Sequence, residues 1–265
     1  LAAFPTLTIL FSTGNKNEFL EQMIVSARHI IFWSVPVSVL FVVLRAQIVR
    51  TVLGAGKFNW DNTRLTAAAL AIFIVSLVAQ NLVTLFVRSY YSRGKTKAPL
   101  LMNVISALII IFGSYYLVHL FQNNFFFRSF CESILKVSGI QGTDVLMLPL
   151  GFTIGVLVNL LIHWIGFQKN FPSFSSPVLR TLFQITGASV IMGFVTYLCL
   201  NIFDTVFNIN TLLGIFLQGF ISGLIGIILA ILILCLLDSL ELKEVRSALH
   251  KKIWQADIAL PDAEL

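Results

Sequence analysis

Apolar residues run almost without interruption over 29–50, 65–88, 99–121, 144–167, 178–203 and 211–238, and the stretches between them collect most of the charge. Each run holds about 20 residues or more, the length of helix that crosses a hydrocarbon core of about 30 Å. Runs such as "LIIIF" and "LIGIILAILILCLL" lack the alternation of apolar and polar positions that a barrel strand shows. A helix is therefore expected for each, because backbone exposed to lipid has to satisfy its own hydrogen bonds. The fold class that follows is an all-α polytopic membrane protein with about six transmembrane helices.

Composition strengthens this reading. The chain of 265 residues is 57% hydrophobic and 11% charged, far from the roughly 25% charge of soluble domains. The net charge of +6 matters through its distribution over the loops, and no nucleic-acid partner is inferred from it. Six spans place both ends and alternate loops on one side. That side holds Lys16, Arg28, Arg88, Arg93, Lys95, Lys97, Lys169, Arg180, Lys243, Arg246, Lys251 and Lys252. The other holds Arg45, Arg50, Lys57, Arg64, Arg128 and Lys136. The positive-inside rule then puts the loop "RSYYSRGKTKAPLL" (88–101) and the C-terminus in the cytoplasm. This loop reads as an orientation signal anchored by Tyr90 and Tyr91, and equally as a basic patch whose arginines meet anionic head groups or phosphates. The two readings are compatible.

Between the spans, 122–143 is too polar to cross a membrane, yet Phe125, Phe126, Phe130, Ile134 and Val137 recur at helical spacing. An amphipathic helix at the outer interface is expected. A cytoplasmic surface helix is expected in the tail, 239–265, with Val245, Leu249 and Trp254 among basic residues and an end before Pro261. Residues 1–13 begin without methionine and read as the close of an earlier apolar segment interrupted at Pro5, so the chain is expected to be a fragment. Residues 14–28 read as an amphipathic approach to the first span.

Within the spans lie Gln80, Asn81, Asn103, His119, Asn159, His163, Gln184 and Gln218, with no acidic residue near the middle of any. For these amides and histidines, hydrogen bonding between helices is the expected role, with ligand contact as the alternative. Gly151 and Gly155, and the ridge of Gly219, Gly223, Gly226 and Ala230, allow close approach of neighbouring helices. A groove for a lipid chain has the same pattern. The cysteines Cys131, Cys199 and Cys235 are far apart, and no disulfide, metal site or cofactor is expected. No GxxxxGK[ST], HExxH or GxSxG motif is present, so catalysis is not expected.

Three stretches together resemble one family. The first is "FPTLTILFSTGNKNEFLEQMIVSARHIIFWSVPVSVLFVVLRAQIVRTVLGAGKF": a Pro-x-Leu-Thr segment, an amphipathic approach, a proline-containing helix, then a basic-apolar close from Ala46 to Phe58. The second is the basic loop, through Tyr90, Tyr91, Ser92, Arg93, Gly94, Thr96, Lys97 and Pro99, and the third is "GKFNWDNTRLTAAALAIF". Their order and spacing are similar to those of the MurJ/MviN lipid II flippases over residues 1–110. Lys95 and Ala98 depart from the Asp and Thr that this family usually carries there.

The resemblance implies the second part of a fourteen-helix flippase of the multidrug/oligosaccharidyl-lipid/polysaccharide exporter superfamily, resident in the bacterial cytoplasmic membrane. Residues 29–167 would complete the second lobe, and 168–238 would form an extra helix pair with a groove for an undecaprenyl tail. The partners it implies are lipid II or another undecaprenyl-linked substrate, and membrane lipids. Arg88, Arg93 and Lys97 are the candidate head-group entrance, Gln80, Asn81 and Asn103 the candidate cavity lining, and Gly219, Gly223 and Gly226 the candidate tail groove. Three alternatives stay open: a flippase for another polyprenyl-linked glycan, a MATE-like antiporter, and a non-transporting scaffold that binds lipid-linked precursor or recruits cell-wall synthesis proteins.

Overall fold

A computed structural model describes residues 9–10, 15–54, 59–208 and 211–254, with side chains to residue 247. The expectations placed on 1–8, Lys57 and Pro261, and on the side chains of Leu249 and Trp254, fall outside what is described. The ordered elements are helical: α1 (Lys16–Val43), α2 (Arg45–Leu53), α3 (Trp60–Ser92), α4 (Lys97–Asn123), α5 (Phe125–Leu135), α6 (Met147–Gln168), α7 (Ser175–Phe203), α8 (Leu212–Leu236) and α9 (Leu240–Trp254). Among the described residues, six segments are long and apolar enough to cross a membrane: α1, α3, α4, α6 with its leading turn, α7 with its leading turn, and α8.

The first span differs from its sequence reading. Charged residues at 16–28 dilute the apolar signal, but α1 starts at Lys16, capped by the Asn15 side chain on the Glu18 N–H, and runs unbroken across residue 28. It ends at Val43. Leu44 (φ −87°, ψ 9°) bends the chain, and α2 continues in a new direction to Leu53. Pro36 lies inside α1 and is tolerated there.

Three other helix ends share one device. After α3, Lys95 N–H donates to the Tyr90 carbonyl at 3.0 Å and Gly94 N–H to that of Tyr91 at 2.9 Å, with Gly94 left-handed at φ 69°. This pair of bonds satisfies carbonyls that a helix end would otherwise leave open. The same pattern closes α5 and α8, but with Lys136 (φ 58°) and Asp238 (φ 53°) in the left-handed position. A side chain there costs about 1 kcal/mol or more.

In space the spans form a row in the order α4, α6, α3, α1, α7, α8, each packed on the next, with α2 lodged between α3 and α8. One core cluster joins α1, α3, α6 and α7 through Phe19, Met23, Ile31, Phe86, Phe167, Phe174 and Ile185. A second joins α3, α4, α6 and the 124–146 connection through Ala68, Ile72, Phe121, Val137, Leu146 and Met147. Lipid tails are as apolar as these side chains, so close contact and hydrogen bonds hold the helices together more than water exclusion does. Gly151 and Gly155 act in that way, since an added Cβ would meet Ser114 and Ile110 of α4. Across the same row, Thr153 donates to the Ile72 carbonyl at 2.9 Å and Ser106 to that of Gly155 at 3.0 Å.

α5 leaves Phe125, Phe126, Phe130 and Ile134 exposed as an apolar face, whereas Val137 lies beyond the helix and is buried in the second cluster. α9 is tied down by chemistry that the sequence reading missed. Glu241, 2% exposed, accepts from Arg28 Nε at 2.7 Å, from Thr181 at 2.9 Å and from Ser239 at 2.7 Å. Burial pushes its carboxyl upward, but the bonds from Ser239, Arg28 and Thr181 outweigh that and hold it below its ordinary value.

Candidate functional site

The basic connection after α3 forms one end of the bundle together with the start of α1, the α6–α7 connection and α9. Its three candidate residues have different surroundings. Lys97 is exposed at the first turn of α4, and Arg88 is half-buried on α3. Arg93 is enclosed: its guanidinium lies 4.5 Å from the Tyr90 ring centre, 5.5 Å from that of Phe167 and 5.6 Å from that of Phe171. Its Nε donates to the Ser89 carbonyl at 3.1 Å, while one terminal nitrogen is buried with no partner among the described residues. Burial lowers its pKa, and Tyr90 acts the other way. Sequence placed the cation and Tyr90 at this end, but the other two rings around it come from α6 and the loop after it.

Gln80 and Asn81 lie exposed on α3, and Gln80 donates to Ser76 at 2.7 Å on its own helix. Asn103, exposed on α4, accepts from Asn159 Nδ2 at 3.0 Å. His163, fully buried on α6, is bonded to the Asn159 carbonyl at 3.0 Å, leaving Nε2 without a partner among the described residues.

The glycine ridge of α8 divides. At Gly226 an added Cβ would collide with Thr196 Oγ1, so this glycine brings α7 and α8 into contact. A Cβ added at Gly223 would lie 3.2 Å from Leu44 Cδ1. Gly219 borders an open apolar groove of about 270 Å³ between α2 and α8, lined by Leu44, Ile48, Val52, Phe216 and Phe220, with Gln47 at its edge. A second cavity of about 430 Å³ lies on the other side of Gln47, at the bundle end opposite Arg93. Arg45, Lys136, Tyr197, Asn201, Asp204 and Gln218 line it. Burial pushes the Arg45 guanidinium below its ordinary value.

A family model described as "Lipid II flippase MurJ" matches residues 1–218. The chain belongs to the MurJ family. A probable lipid II flippase MurJ of Bdellovibrio bacteriovorus is 23% identical over 199 residues, covering 74% of this chain and 34% of that protein. The MurJ relative from Rhizobium tropici is 28% identical over 109 residues, covering 41% of this chain and 20% of its own length. The chain thus spans about a third or less of these MurJ relatives. A solved structure of lipid II flippase MurJ in an inward closed conformation matches with a TM-score of 0.59 at 21% identity, over 89% of this chain and 43% of that one. At that identity the likeness shows the fold, an all-helical multi-pass membrane architecture shared with MurJ.

Proposed function

We propose that the protein carrying this chain moves lipid II from the cytoplasmic to the outer leaflet of the bacterial cytoplasmic membrane by alternating access, with this chain as its C-terminal half and its tail in the cytoplasm. The observation that carries the reading is the family match over residues 1–218. The physical task is to take a charged pyrophosphate-sugar head through a medium where an uncompensated charge costs several kcal/mol, about 2.5–3.5 for an Arg, Lys or Asp on insertion scales. A polar cavity for the head, with the polyprenyl chain left in a lateral groove, avoids that cost. Arg88, Arg93 and Lys97 attract the head at the cytoplasmic entrance, while Gln80, Asn81 and Asn103 line the path. Gly219 borders the tail groove, and Gly223 and Gly226 shape it by letting α8 sit against its neighbours. Of the extra pair, α8 supplies one wall of that groove, and α2 supplies the other.

The test reconstitutes the full-length protein in vesicles containing fluorescent lipid II and follows its transfer between leaflets. Transfer is expected with the unaltered protein, reduced in Arg88→Gln. Arg93→Gln is expected to reduce transfer and also the thermal midpoint, because its guanidinium packs on three rings. Folded, inserted protein that leaves lipid II where it started, or that flips it equally well in Arg88→Gln, counts against the corresponding role.

A further inference from the structure

The cavity around Arg45 and Lys136 plays no part in the reading above. Its two cations have no ion-pair partner among the described residues. Lys136 reaches it at an expense in backbone energy: the lysine sits at φ 58°, a position where glycine is the usual occupant. Arg64 on α3 pins that conformation by donating Nε to the Lys136 carbonyl at 3.0 Å. The ammonium then lies 5.9 Å from the Tyr197 ring of α7. Gln47, which lines both the cavity and the apolar groove, has a buried Oε1 with no donor among the described residues. Gln218 and Gly219 are consecutive on α8 and line the cavity and the groove respectively, so the two spaces flank the same stretch of α8 with Gln47 between them.

A polar, cationic cavity beside an apolar groove, with Gln47 lining both, matches a molecule with an anionic head and a hydrocarbon chain. Arg45 and Lys136 set against Asp204 leave a net formal charge of one positive unit in the lining. That balance suits a single phosphodiester better than a diphosphate, which the Asp204 carboxylate would repel. The acceptors Gln47 Oε1, buried with no donor among the described residues, and the exposed Asp204 carboxylate suit hydroxyl donors on the head. We propose that this cavity and groove bind an anionic phospholipid of the phosphatidylglycerol type, its phosphate held by Arg45 and Lys136 and one chain lying along Ile48, Phe216 and Gly219. The head cavity is separate from the cytoplasmic head-group entrance, while the chain takes the groove at Gly219 that the reading above gives to the polyprenyl tail, so the two lipids compete for that groove.

The experiment titrates the full-length protein in detergent with phosphatidylglycerol, phosphatidylethanolamine and phosphatidylcholine of identical chains, counting bound lipid by native mass spectrometry. Phosphatidylglycerol is expected to bind tightest. Removing one cation should weaken it about fivefold and removing both about thirtyfold, with phosphatidylcholine unaffected. Arg45→Gln disturbs a half-buried position, so Lys136→Gly is the informative companion: it removes the charge while relieving the left-handed backbone, and the protein should be no less stable. Ile48→Trp should obstruct the groove and weaken every lipid alike. Equal binding of the three lipids, unchanged phosphatidylglycerol affinity in Lys136→Gly, or displacement of the lipid by millimolar inorganic phosphate would each overturn the proposal.

Discussion

At the scale of single residues, Glu241 governs how the C-terminal helix is held. Its carboxylate is almost fully enclosed and ties α9 to Arg28 of α1 and Thr181 of α7. Glu241→Ala leaves Arg28, itself mostly buried, without its counter-charge, and a loss of about 3 kcal/mol is expected. Limited proteolysis of the tail, compared between variant and parent, would register that loss. The acid dependence has a definite sign. A carboxyl held below its ordinary 4.5 contributes stability above that pH, and the contribution drains away as pH falls from 4.5 through the lower folded value. Tail cleavage should therefore rise on acidification in the parent and be flatter in Glu241→Ala. Sequence could not show this, because "LELKEVRSALHKK" reads as the solvated face of an amphipathic helix and the partner lies 213 residues away. Arg93 is a similar case: its position in the basic loop was legible, its ring of Tyr90, Phe167 and Phe171 was not.

At the scale of elements, the six spans were readable because each is a continuous apolar run, and that signal needs no tertiary context. The edges were less so. α1 begins at Lys16, since a helix continues through its charged approach as easily as through lipid, and the bend at Leu44 has no proline or glycine to announce it. Small-residue ridges were visible, but which glycine packs and which borders a groove depends on the neighbour across from it. That difference is measurable. Gly226→Ala drives a methyl into Thr196 and should cost about 2 kcal/mol, read as a fall in the thermal midpoint of the purified protein. Gly187→Ala, with nothing within 4 Å of the new methyl, should gain about 0.5–1 kcal/mol in the same assay.

At the scale of the whole molecule, alternating connections put Lys95 and Asp204 at opposite ends of the bundle, Lys95 following α3 beside the Arg93 cluster and Asp204 closing α7 at the Lys136 cavity. In intact cells of a cysteine-free parent, Lys95→Cys should resist a membrane-impermeant maleimide and Asp204→Cys should react with it, each reversing in inside-out vesicles. The opposite pattern would invert the orientation assigned from loop charge. The row arrangement itself was not in the sequence: α3 and α4 are neighbours in the chain, yet α6 sits between them in space. That insertion bears on how the chain is made. Ser106 and Asn103 bond to Gly155 and Asn159, residues 49 and 56 positions further along. Because synthesis proceeds from the N-terminus, the ribosome delivers α4 to the membrane before its hydrogen-bonding partners exist. Until α6 emerges, α4 has to stay in place on its own greasiness, with two polar side chains idling among lipid tails or sheltered by the insertion machinery.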